Sequence, residues 1–346
     1  MGRQFRKESM PHCCRTSQPV TPRTDPVVIM AVVNEVNDRI LLSRNRKWPG
    51  KFYSALAGFV EPGGSFEDAV KRELWKEVGL KVWGIQYHST QPWPFPANLM
   101  IGFYAIADPA LFSKYNFISI PGDLWHTNFF AGTPLNRLAW LRTSPSFLNA
   151  DCAVVGSPAT RWVLFNEGKP LMSSSGSNGP HLARLSTAEV KPLLGPEPFF
   201  SQSQQEGELA KSDEKVLQAA RLHGPPIVFL GLYEHEDASG SSRALPSSDF
   251  SVKKDVAEIV SNIHGTPYFS LDVTEIQETK VNDVLGGSQQ GRDGVEFEFI
   301  DGRAAMGNLS QFDSGVFSEA RFLVDWSARN KYCAGCGSPV YTLWAG

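Results

Sequence analysis

The chain has 346 residues with 42% hydrophobic and 20% charged side chains, an ordinary balance for a globular protein and enough length for two separate cores. A formal net charge of -3 carries no electrostatic signature of nucleic-acid or membrane-surface binding, and no run reaches the roughly 18 apolar residues that span a bilayer. Five cysteines, two of them in Cys333-Ala-Gly-Cys336, suit a reducing compartment and a metal site better than a disulfide framework.

In chain order, residues 1–26 are basic and hold His12-Cys13-Cys14, but lack the apolar centre of a secretory signal. Val27 to Val33 reads as a buried strand, and Asn37-Asp38 turns the chain into Arg39 to Ser43, which completes a hairpin. Phe52 to Ala57 reads as a third strand, delivering the chain to a glycine loop that starts at Gly58. A helix follows. Ser65 is its N-cap, with Asp68 three residues on as a short capping-box acid. Ala69, Val70 and Leu74 form an apolar side, while Glu73 and Glu77 lie four apart and project from one face. Two carboxylates so held, beside a loop that presents backbone N–H groups, suit a hard cation bridging to phosphate oxygens.

Lys81 to Tyr87 and Leu99 to Ala107 read as strands. Between them, the alternating prolines of Thr90-Gln-Pro-Trp-Pro-Phe-Pro96 fix an extended loop. That loop holds Trp93 and Phe95 at set positions, either to stack on a flat ring or to pack into the core. The second half reads as α+β. Strands are expected at Arg161 to Phe165, Ile227 to Leu232 and Val295 to Ile300, and helices at Thr187 to Leu194, Val252 to Ile263 and Phe317 to Asn330. Residues 168–180 and 201–213 are rich in Ser, Gln and Gly and read as loops or disordered segments, and Glu234 to Ser251 as a polar insertion. No internal repeat is visible.

The stretch from Gly58 to Leu80 resembles the Nudix box, G-x5-E-x7-R-E-U-x-E-E-x-G-U with U aliphatic. Gly58, Arg72, Glu73, Leu74, Glu77, Gly79 and Leu80 fall on specified positions, whereas Gly64 and Lys76 stand where the pattern has glutamate. Thr90 to Asn98 resembles S-Q-P-W-P-F-P-x-S, the motif of the NADH pyrophosphatase branch, with Gln91 to Pro96 identical to it. Asn128 to Arg137, Val228 to Leu232 and Gly265 to Asp272 resemble parts of that branch's N-terminal domain, and Cys333 to Pro339 the first knuckle of its zinc ribbon. The order is permuted relative to the family. The expected domains are a basic segment at 1–26, a partial Nudix domain at 27–107, a junction at 108–123, an N-terminal-like domain at 124–330 and half a ribbon at 331–346. The implied fold class is α/β (α+β): a Nudix α/β/α sandwich, plus a second α+β domain. The sandwich is truncated, because the family's further acidic segment, closing strand and C-terminal helix are not found after Ala107.

The resemblance implies hydrolysis of the diphosphate in NADH or NAD+ to nicotinamide mononucleotide and AMP, with NAD-capped RNA as a further substrate class. Glu73 and Glu77 would hold Mg²⁺ or Mn²⁺, and Arg72 would orient a carboxylate. Phe59, Gln91, Trp93 and Phe95 would contact the nucleotide. Cys333 and Cys336 would bind Zn²⁺, completed by Cys13, Cys14 or His12 if the termini meet. A homodimer is common in the family. Its members are cytosolic or peroxisomal, and the terminal Leu-Trp-Ala-Gly is not a peroxisomal tripeptide, so the expected compartment is the cytoplasm. Lys76 puts a like charge beside the expected cation, which keeps a second reading open: a catalytically impaired protein that binds nucleotide without turnover, or a non-functional rearranged product.

Overall fold

The computed structural model describes residues 3–5, 23–34, 39–44, 53–108, 117–119, 133–136, 141, 147–148, 160–175, 178–194, 225–234, 265–332 and 340–342. The chain divides into two compact units. One is Arg23–Gly132, and the other joins Met1–Pro22 to Thr133–Gly346. The first short strand, β1 (Arg3–Phe5), belongs to the latter.

The unit Arg23–Gly132 is built on a mixed sheet. Its β-branched first run forms β2 (Asp25–Val33), which meets β3 (Arg39–Leu41) antiparallel at Val33 and Ile40. The next strand, β4 (Leu56–Phe59), starts later than expected. Its approach is fixed instead by one bridge between Ser43 and Ser54. It pairs antiparallel with β2, setting Gly58 opposite Val28. Helix α1 (Phe66–Val78) leads to β5 (Val82–Trp93) and β6 (Asn98–Ala107), an antiparallel pair. β6 then lies parallel to the whole of β2. A last short strand, β7 (Phe117–Ser119), pairs with β3. The expectation that this domain has no closing strand after Ala107 is thereby corrected. The order across the sheet is β5-β6-β2-β3-β7, with β4 also on β2. Val28, Met30 and Val32 alternate onto one face with Ile101, Phe103 and Ala105, and α1 covers them with Ala69, Val70 and Leu74.

The proline stretch is not the loop its composition suggests. Gln91, Pro92 and Trp93 stay in register with Met100, Leu99 and Asn98, so β5 runs on to Trp93 before a tight turn at 94–97. β5 lies at the edge of the sheet, where a proline removes no ladder hydrogen bond if its missing N–H would face outward.

The other unit has its own sheet. β8 (Arg161–Asn166) turns into β9 (Lys169–Ser175) and then β10 (Asn178–Leu182). β8 is the strand expected at Arg161 to Phe165, whereas residues 168–180, which hold β9 and the start of β10, are expected to be loop or disordered. Pro170, Leu171, Met172 and Ser173 are buried, and β9 is bonded on both sides, which overrides a weak serine-rich propensity. Helix α2 (Thr187–Leu194) has the bounds its pattern predicts. Glu189 reaches back to the Ser186 N–H at 2.7 Å in a capping box. β11 (Ile227–Tyr233) and β12 (Thr266–Asp272) are antiparallel, and β12 is parallel to β8. Then come α3 (Glu278–Gly287), α4 (Gln289–Arg292), β13 (Glu296–Phe299, on β9) and α5 (Gly302–Ala305). The long α6 (Gln311–Arg329) closes the unit, beginning well before the expected Phe317 because Ser310 caps it. β14 (Val340–Thr342) pairs with β1.

Within this unit α2 and α3 share the core of Trp162, Leu164, Phe229, Phe269 and Leu271. Trp162 and Phe269 stack at 4.7 Å, and the indole N–H donates to Thr187 at 2.9 Å. Phe165 stacks on Phe317 of α6 on the opposite face, giving three layers. No internal repeat shows in the sequence, yet each unit centres on a parallel strand pair whose second member is preceded by an antiparallel partner. Among the described residues no helix is long and apolar enough to cross a membrane.

Candidate active site

The site is built where the chain leaves β4. Val60 N–H returns to the Pro26 carbonyl at 3.1 Å, and a turn closes from Glu61 to Gly64 at 3.0 Å, with Gly63 at φ 84°. Ser65 then accepts the Asp68 N–H at 3.1 Å and starts α1. At the far end Gly79, at φ 66°, gives its N–H to Trp75 at 2.9 Å and ends the helix in the left-handed conformation. Burial of Ala69, Val70 and Leu74 fixes the rotation of the helix about its axis. The polar residues on its other faces therefore have set directions.

Glu73 is the centre of the arrangement. Though charged, it is only 6% exposed. A β-carbon on Gly58 would lie 2.3 Å from its Cγ and 2.6 Å from Oε2, so Glu73 occupies a slot that only glycine at 58 leaves open. Arg72 holds it there. Arg72 Nη2 and Nε donate to Glu73 Oε1 at 3.1 and 3.3 Å. Nη2 also donates to the Phe59 carbonyl at 2.6 Å, and Nη1 pairs with Glu61 at 3.1 Å. One guanidinium thus ties the end of β4, the glycine loop and the carboxylate together, a geometry its planar fork suits. The pairing of Glu61 with Arg72 has no sequence signature, since loop closure rather than periodicity brings it about.

On the other side, Lys76 Nζ donates to Glu73 Oε2 at 3.4 Å. Glu77, one turn along, is exposed. Its carboxyl is held above the usual carboxylate range, first by partial desolvation and then by the charge of Glu73, with Lys76 opposing. Glu73 and Glu77 are hard oxygen donors and fit Mg²⁺ or Mn²⁺ by chemistry. Among the described residues no group of three His, Cys, Asp or Glu is placed to hold a metal ion. Two carboxylates leave the remaining oxygens around such an ion to water and substrate.

Phe59 is 59% exposed beside this loop. Trp93 and Phe95 are half-buried and meet edge to face at 5.4 Å, with the Phe95 N–H on the Trp93 carbonyl at 2.8 Å. Buried Asn98 donates to the Phe95 carbonyl at 3.2 Å, and half-buried Gln91 lies two residues before Trp93 on β5. The zinc candidates His12, Cys13, Cys14, Cys333 and Cys336 lie outside the described residues, as do the expected helix at 252–263 and most of 128–137.

Comparison with known proteins gives two domain matches. Residues 23–111 match the Nudix domain, and residues 159–326 match an NADH pyrophosphatase-like rudimentary Nudix domain. The latter description agrees with the pairing scheme that the two units share. Nudix hydrolase 19, chloroplastic, of Arabidopsis thaliana is 50% identical over 30% of this chain and 24% of its own. NAD-capped RNA hydrolase NudC of Mycobacterium bovis is 42% identical over 37% of this chain and 40% of its own. NAD-capped RNA hydrolase NUDT12 of Macaca fascicularis is 48% identical over 29% and 22%. The chain thus spans about a quarter to two fifths of the length of the curated relatives it matches. This chain therefore carries a Nudix domain over residues 23–111, followed by an NADH pyrophosphatase-like rudimentary Nudix domain over residues 159–326.

Proposed function

We propose that the chain hydrolyses the diphosphate of NADH or NAD+ to nicotinamide mononucleotide and AMP, and that NAD-capped RNA is a further substrate class. The observation that carries this reading is the buried Glu73, fixed by Arg72 in the slot of Gly58, one turn from Glu77. The names of the relatives from Mycobacterium and Macaca support the substrate class. A bound Mg²⁺ or Mn²⁺ supplies charge neutralisation of the diphosphate and acidifies the attacking water. The protein's own part is positioning. Arg72 keeps the Glu73 carboxylate in one orientation, and one carboxylate of the Glu73–Glu77 pair accepts a proton from that water. Exposed Phe59 and the Trp93–Phe95 pair offer aromatic surface to the nicotinamide and adenine rings.

The test is identification of AMP and nicotinamide mononucleotide after incubation of NADH with the purified chain and Mn²⁺, with Glu77→Gln as the blank. Metal-dependent products absent from the blank support the reading, and no product from folded protein refutes it. The alternative, binding without turnover, draws on Lys76 lying against Glu73. A large gain of rate in Lys76→Glu over an inactive parent would favour that alternative for the natural chain. The reading extends to a homodimer, tested by sedimentation of the full chain. It also extends to a zinc ribbon near the paired strands β1 and β14, tested by zinc content in the wild type and in Cys333→Ser.

A further inference from the structure

Lys76 occupies a box position where the family pattern has glutamate, and its ammonium lies 3.4 Å from Glu73 Oε2. Arg72 takes the other oxygen, Oε1, at 3.1 Å. Both oxygens of the buried carboxylate therefore face a side-chain cation. The Lys76 side chain is 70% exposed, so the ammonium sits at the mouth of the slot, within reach of solvent and of anything that docks there. Three carboxylates (Glu61, Glu73 and Glu77) meet two side-chain cations (Arg72 and Lys76), which leaves one negative charge to be neutralised. A first divalent ion reverses that balance. A second would have to approach Glu73 Oε2 against the ammonium already on it, and like charges at such a separation repel strongly.

We propose that Lys76 is a tethered cation standing in for one divalent ion at Glu73, so that the site takes a single Mg²⁺ or Mn²⁺ and the ammonium meets the diphosphate in place of the second. This rests on the reading of the site as one that binds a diphosphate. It makes Lys76 a substrate-contacting residue and assigns a role to the feature that otherwise argues most against activity. A compact ammonium on a flexible stem suits this task, since it can leave Glu73 for a phosphate oxygen without disturbing the Arg72 lock.

The experiment counts Mn²⁺ bound to the full chain without nucleotide, from the loss of the free-ion electron paramagnetic resonance signal, in the wild type, Lys76→Gln and Lys76→Glu. Because Lys76 is exposed, all three are expected to fold, and thermal melting checks this. The wild type is expected to bind one Mn²⁺ and Lys76→Glu two. Lys76→Gln, which removes charge without adding a ligand, is expected to bind one, about tenfold more tightly. Its Kd for NADH, measured with Ca²⁺ in place of Mn²⁺, is expected to rise about tenfold. Two ions in the wild type, no additional ion in Lys76→Glu, or an unchanged NADH affinity in Lys76→Gln would overturn the proposal. Failure of the hydrolase reading appears separately, as absence of AMP from NADH, while the ion count and the NADH affinity are read without turnover.

Discussion

Replacing Gly58 by alanine tests how the carboxylate slot is made. The added β-carbon would fall 2.3 Å from Glu73 Cγ, 2.4 Å from Cδ and 2.6 Å from Oε2. Non-bonded carbons settle near 3.5–4.0 Å, so the overlap exceeds an ångström and Glu73 must swing out. The β4 backbone is paired with β2 at this point and cannot retreat without breaking the ladder. Leaving the slot costs Glu73 its bonds from Arg72 at 3.1 and 3.3 Å. The two bonds come from one guanidinium to one oxygen and act as a single charge-assisted interaction, worth about 1.5–3 kcal/mol, so the expected loss is roughly 2–3 kcal/mol. In a unit of this size that lowers the melting temperature by roughly 10 °C. The assay is thermal unfolding of four proteins: wild type, Gly58→Ala, Glu73→Ala and the double variant. In the Glu73→Ala background the three atoms nearest the added β-carbon are gone. Gly58→Ala should then be neutral or slightly stabilising, because alanine restricts the unfolded chain. Equal cost in both backgrounds would refute the reasoning.

Leu74 is fully buried against the sheet, and Leu74→Ala should cost roughly 2–5 kcal/mol in urea unfolding of this unit, whereas the exposed neighbour Lys71→Ala should cost little. Gly79→Ala forces a side chain into φ 66° and should cost about 1 kcal/mol in the same measurement. Glu77 has a folded-state pKa raised above its unfolded value, so its contribution is favourable below the unfolded value and is lost as pH rises through the folded one. Without metal, Glu77→Gln should match the wild type in melting temperature near pH 3 and exceed it slightly at neutral pH. Adding Mn²⁺ should stabilise the wild type more than the variant and reverse the order at neutral pH.

Much of the site was legible because it is periodic. Ala69, Val70 and Leu74 mark the buried side of α1, and the spacing of Glu73 and Glu77 places them one turn apart whatever the surroundings. Ser65 was readable as a cap, and the observed bond to Asp68 is the expected one. The position of Lys76 beside Glu73 followed from the same three-residue spacing. What joins Arg72 to Phe59 and Glu61 did not, since those contacts depend on how the loop from Gly58 to Ser65 folds back. Tertiary pairing also overruled local composition. β9 reads as a polar serine tract, yet β8, β10 and β13 bond it on both edges. β5 continues through Pro92 because only an edge strand is asked to accommodate it. The first half of α6 contains Gly315 and two serines, a weak helix by propensity. Ser310 and Asp313 make up for this by bonding reciprocally at 3.0 and 2.9 Å.

The central claim is that Glu73, held by Arg72, serves hydrolysis of a dinucleotide diphosphate. Its most direct test is release of AMP from NADH by the full chain at saturating Mn²⁺, wild type against Glu73→Gln. The account predicts turnover in the wild type and a fall of at least roughly a hundredfold in a variant that still melts cooperatively. Equal release of AMP from both proteins, or none from either, would contradict it.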